Sequence, residues 1–171
     1  MKYLVTAIVL VGTLSADSFL GSGKSGVNPV KNEFYKTECA SCHFAYQPGL
    51  LPQRSWKKLM GNLENHFGTD ASMELDDREK VLSYLVENSA EKSTEYKRSR
   101  KINKSIPASQ TPIAVSDTPY FKKEHREIPK RLIVQKEVKS ISNCIACHKT
   151  ADKGIYGERG INIPNYGKWD D

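Results

Sequence analysis

The sequence predicts a mainly α protein built as two small units, a helical one over residues 28–90 and a smaller, mostly irregular one over residues 117–171. Three observations predict it. Apolar residues recur at helical spacing through the first stretch and hardly at all beyond it. The pattern Cys-x-x-Cys-His occurs twice, once in each unit, at Cys39, Cys42, His43 and at Cys144, Cys147, His148. Between the units, residues 91–116 are basic and polar. With 171 residues and 38% hydrophobic content the chain can build only a modest core of its own, so any apolar body it wraps would add to that core.

Taken in order, residues 1–16 read as a signal peptide: Lys2 is the positive start, Tyr3 to Leu14 the apolar run, and Thr13, Ser15 and Ala16 the small residues near a cleavage point. The run is too short for the ~20 residues a membrane-spanning helix needs, so no span remains after cleavage. A first helix is expected from about Pro29 to Cys42, with proline in its first turn. After a loop comes "SWKKLMGNLENHFG", whose Trp56, Leu59, Met60 and Leu63 share a face with His66, and which Gly68 is placed to stop. A third helix, Asp76 to Ser89, offers Asp76 and Glu79 as a capping box and an apolar face of Val81, Leu82, Leu85 and Val86.

The segment 91–116 reads as a basic linker. Its Lys97, Arg98, Arg100, Lys101 and Lys104 suit either a solvated connector or a docking surface for an acidic partner. Nothing resembling a nucleic-acid module accompanies them, so nucleic acid is not an expected partner. In the second unit one helix is expected around Cys144 to Cys147, and His125 falls on a short turn flanked by Pro119 and Pro129. The tail is expected to wrap Ile161, Ile163, Tyr166 or Trp169 against whatever the unit holds.

Three chemistries compete for the cysteine pairs. A zinc ribbon separates its pairs by some 15–20 residues, whereas roughly a hundred lie between Cys42 and Cys144. A redox dithiol wants a strand before it and a helix after it, and neither stretch offers that. Covalent attachment of haem c uses both thiols, as thioethers, and also the adjoining histidine, as iron ligand. Only this third chemistry explains why two of the four histidines in the chain follow the two pairs directly. Two haem c groups are therefore expected.

Each iron has a second axial position. A second histidine there makes a low-potential carrier, methionine raises the potential, and an open position admits ligands. The two remaining histidines, His66 and His125, match the two open positions, giving His43 with His66 and His125 with His148. Met73 is the rival for the first iron, since packing on the helix face accounts for Met60. Exchange of the distal ligands between the haems, or one open site, stays possible on spacing alone.

Three stretches, "CASCHFAYQPGLLPQRSWKKLMGNLENHFGTDASM", "YFKKEHREIP" and "NCIACHKTADKGIYGERGINIP", resemble the exported dihaem cytochromes c. The likeness runs from about Phe34 to Pro164. It implies an N-terminal helical haem domain similar to class I cytochromes c and a small, mostly irregular second haem domain. It also implies the same two bis-His pairs and a periplasmic one-electron carrier that is not an enzyme. Its partners would be a small oxygen-binding haem protein or a membrane b-type cytochrome. The alternative function is a dihaem enzyme or gas-binding protein in which substrate displaces one distal histidine.

Overall fold

The structure, a computed structural model, describes residues 25–169; the signal segment expected at 1–16 lies outside them. Helix α1 runs Glu33–Cys39. It begins later than expected because Asn32, not a residue near Pro29, supplies the cap, its side chain accepting from Tyr35 N at 2.8 Å. It also ends earlier, at Cys39, so Cys42 and His43 lie in the turn that follows. A single turn of 3-10 helix, Pro48–Leu50, leads into α2, Gln53–Met60. The indole nitrogen of Trp56 in α2 donates to Pro48 O at 2.8 Å, tying that helix to the loop before it.

Helix α2 ends at Gly61 and not at Gly68, so His66 is not carried on it. Apolar spacing persists through Leu63, but that residue belongs to a separate 3-10 turn, Leu63–Asn65. Helix α3, Leu75–Glu87, forms without the expected capping box: Glu74 is its N-cap and makes no side-chain bond, while Asp76 and Asp77 place negative charge in the first turn. Its buried Val81 and Leu85 close a core with Val30, Tyr35, Leu51, Trp56, Met60 and Leu63.

The expected linker contains a helix. Residues Lys97–Ser105 form α4, a basic helix anchored by buried Ser99 and Ile102. Ile102 and Ile106, four residues apart, bury one stripe against Val27 and Leu50. One buried isoleucine stabilises by about 1.5–3 kcal/mol, enough to dock a helix whose other residues face water. Three short helices follow: α5, Pro119–Glu124, capped by Thr118, whose hydroxyl accepts from Phe121 N; α6, Lys130–Ile133; and α7, Cys144–Cys147. An antiparallel pair, β1 (Asn162–Ile163) and β2 (Gly167–Lys168), closes the chain, with Asn162 opposite Lys168 and Ile163 opposite Gly167. The second half is thus mostly irregular, and Tyr166 is half exposed at 51%.

Two sets of contacts sew the halves together. Gly154 O accepts from Gly26 N at 2.9 Å and from Val27 N at 3.3 Å. Gln47, wholly buried, donates to Ala151 O at 2.5 Å and accepts from the Tyr156 hydroxyl. Gly154 has φ +70°, and a Cβ there would run into Val27 O. Gly154→Ala should therefore lower stability by about 1–3 kcal/mol through backbone strain and the displaced Val27 carbonyl, read as a drop in thermal midpoint; an unchanged midpoint would show that this seam carries no stability.

Candidate haem sites

The first site is assembled from two turns. Cys39 closes α1, half-buried, and Cys42 and His43 follow in exposed positions. His43 Nδ1 lies 2.8 Å from Phe44 O. A carbonyl only accepts, so Nδ1 carries a proton and donates it. His66 occupies the start of a tight turn closed by paired backbone bonds, His66 N to Thr69 O at 2.8 Å and Thr69 N to His66 O at 3.1 Å. Phe67 and Gly68 take φ +53° and +86°, the left-handed values of a two-residue hairpin turn. Gly68 thus makes the turn that aims His66, rather than ending a helix. The rings of His43 and His66 face each other with centroids 6.1 Å apart and planes 28° apart.

The second site repeats this opposition with different parts. His125 caps α5, its Nδ1 2.9 Å from Phe121 O, and its ring stacks on Phe121 at 3.8 Å. His148 follows α7 and pairs by backbone with Ile161. Its ring centroid lies 6.2 Å from that of His125, with planes 72° apart. Both rings, with Cys144 and Cys147, line a cavity of about 310 Å³ walled by Leu132, Val138, Ile161, Ile163 and Trp169. The tail residues Ile161, Ile163 and Trp169 do reach the site.

Electrostatics favour the neutral forms. Burial pushes the Cys39 thiol up to about 11, Cys144 up to about 12, and Cys147 upward. Burial lowers His66, with His43 adding to the effect, and lowers His125. His148 falls to about 4, through burial first and then the charges of His125 and Arg98. A neutral imidazole is the form that binds iron.

These residues fit haem. Metal–imidazole bonds of about 2 Å on each side, extended to the ring centres, place two axial imidazoles about 6 Å apart, the separation found in both pairs. His148 Nδ1 is buried with no hydrogen-bond partner, so its ring meets no competing protein group on that side. The four cysteines carry no disulfide. Among the described residues no group of three or more His, Cys, Asp or Glu is arranged to hold a metal ion. Met60 is buried in the first core and Met73 packs against it.

The dihaem cytochrome c family model matches residues 35–156. The chain belongs to the dihaem cytochrome c family. Its cofactors are two haem c groups. It is similar to the dihaem cytochrome c of Shewanella baltica, with 35% identity over 81% of this chain and 98% of that one, at a TM-score of 0.67. Two structures of the Rhodobacter sphaeroides protein are each 39% identical. One covers 75% of this chain and 99% of that one at a TM-score of 0.61, the other 76% and 100% at 0.67. No curated protein sequence matches this chain.

Residues that the sequence did not single out complete the sites of this dihaem cytochrome c. Tyr46 packs its ring 5.2 Å from that of His43 and donates its hydroxyl to Ser142 O at 2.6 Å, two residues before Cys144. Tyr156 packs 5.5 Å from His148 and reaches Gln47. Only the position of Tyr46, three residues past the first motif, hinted at such a role. Replacing Cys144 and Cys147 together by alanine should cut the haem that stays on the chain after acid–acetone extraction by about half; full retention would remove these thiols from the attachment chemistry.

Proposed function

We propose that this dihaem cytochrome c is an exported one-electron carrier whose two haems are both bis-His ligated, by His43 with His66 and by His125 with His148. The observation that carries this is the ring opposition at 6.1 and 6.2 Å in both halves. Cys39 and Cys42 hold the first haem covalently, and Cys144 and Cys147 the second. Each haem supplies an Fe(III)/Fe(II) couple; everything else is done by the chain.

That work is mostly holding still. The Phe44 and Phe121 carbonyls fix His43 and His125 in the Nδ1–H tautomer and make each ring a better donor, which favours Fe(III) and lowers the potential. Phe121 pins the His125 ring from one face. Tyr46 and Tyr156 back the two proximal rings and are joined through Gln47, so the ligands of one site cannot shift without disturbing the other. An electron arriving at either iron thus meets a frame that has little to rearrange.

The alternative, a ligand-binding or enzymatic dihaem protein, has its best foothold at His66. That turn is exposed, with Phe67 60% accessible, whereas His125 is held by stacking. Carbon monoxide decides between them. The ferrous protein is expected not to bind it rapidly, and the ferric protein to show two low-spin EPR signals. The more anisotropic of these should come from the second haem, because crossed imidazole planes leave the iron d orbitals more nearly degenerate than aligned ones. His66→Met should raise the potential of one haem alone; stoichiometric carbon monoxide uptake by the unaltered protein, or equal shifts at both haems, would defeat the assignment.

The proposed compartment is the periplasm, supported by the signal-like segment at 1–16 and by haem c attachment, which needs an exported chain with reduced thiols. Among the described residues no helix is long and apolar enough to cross a membrane. The proposed partners are acidic redox proteins, either a small oxygen-binding haem protein or a membrane b-type cytochrome, met on a basic face. Lys97, Arg100, Lys101 and Lys104 are exposed on α4, and Lys122 and Lys123 on α5 packed beside it. Electron exchange with such a partner should slow severalfold between low and physiological salt; a rate indifferent to salt would take this face out of docking.

A further inference from the structure

Of the five basic residues of α4, Arg98 alone turns inward. Its guanidinium donates to the Tyr120 hydroxyl at 3.0 Å and to Tyr156 O at 2.8 Å. The guanidinium carbon sits 5.8 Å from the Tyr120 ring centre and 5.6 Å from that of Tyr156. Its Nε is buried with no partner. None of the ion pairs among the described residues includes it. Arg98, Tyr120 and Tyr156 all line the cavity that holds His125 and His148.

A half-buried cation with its Nε shut off from water is stabilised by a counter-charge, and ring faces and carbonyls offer only partial ones. The cavity's occupant brings two carboxylates, its propionates. Guanidinium and carboxylate match as a planar fork, which lysine does not offer. We propose that Arg98 is the charge partner of a propionate of the second haem and holds that haem's midpoint potential up. Reduction adds an electron, so a fixed cation nearby favours Fe(II); neutralising a propionate acts in the same direction. The position is rigid, since Arg98 N donates to Gly26 O at 2.9 Å and α4 is docked through Ile102. Arg98 is thus a positioning residue for the cofactor, and the proposal rests on the second haem lying in this cavity, not on the identity of its sixth ligand.

The test uses the intact, two-haem protein as Arg98→Gln and Arg98→Lys, titrated by spectroelectrochemistry with each midpoint assigned from its EPR signal. In Arg98→Gln the midpoint of the second haem should fall while the first stays put, and Arg98→Lys should restore most of the loss. Two unchanged midpoints would overturn the proposal. So would a lysine variant that falls as far as the glutamine one, since the lost hydrogen bonds to Tyr120 and Tyr156 would then be the cause. If Arg98→Gln does not accumulate with both haems, resonance Raman of Arg98→Lys decides: the propionate bending band of one haem should move, and an unmoved band would overturn the pairing. Carbon monoxide uptake by the unaltered protein would defeat bis-His ligation and leave this comparison intact.

Discussion

A single buried amide registers the two halves of this dihaem cytochrome c. Gln47 is wholly inaccessible; its nitrogen donates to Ala151 O and its oxygen accepts from Tyr156. A buried amide left without partners costs about 1–3 kcal/mol for each lost group, so the two halves have one arrangement in which Gln47 is satisfied. Its neighbour Tyr46 lies against His43 and bonds across to Ser142; its partner Tyr156 lies against His148. One dipeptide therefore touches the surroundings of both His43 and His148. The ring pairs, the cavity and the position of Arg98 all assume that this register holds.

What could be read from the chain alone was whatever local chemistry dictates. The two Cys-x-x-Cys-His motifs announce their role because the spacing of thiols and imidazole is a property of five residues, and scarcity singled out His66 and His125. Helix α3 and the first core were legible from periodicity. The error at His66 came from the same rule: Leu59 and Leu63 keep helical spacing across Gly61, where the backbone has already left the helix. Helix α4 was missed because its buried stripe is narrow and its packing partners, Val27 and Leu50, lie far off in the chain. Arg98 looked like one charge in a basic run, and Gln47 like a loop residue, since the contacts of each are with residues up to roughly a hundred positions away.

The halves bring two histidine rings to the same separation by opposite routes. In the first, a helix end presents the cysteines and a hairpin turn returns the second imidazole; in the second, a helix end presents the second imidazole and the cysteines follow. The elements involved are short, with four residues in α6 and α7 and two in each strand. Elements of this length do not persist on their own in water. With haem attached as proposed, it would be their core, and the protein part a set of turns pinned to it.

The seam between Gly26, Val27 and Gly154 has a consequence for how the chain is made. Ribosomes deliver a polypeptide from its N-terminus, so Gly26 and Val27 emerge long before Gly154. The two ends of the described structure meet only when nearly everything between them has arrived, and α4, whose Arg98 N bonds Gly26 O, is anchored to the same early segment. The first haem region can gather its own helices early, yet it must wait, unfinished, for the tail that completes it. Cutting the chain between its haem regions would yield two pieces that each lack a wall, which makes this molecule a poor source of transplantable single-haem modules.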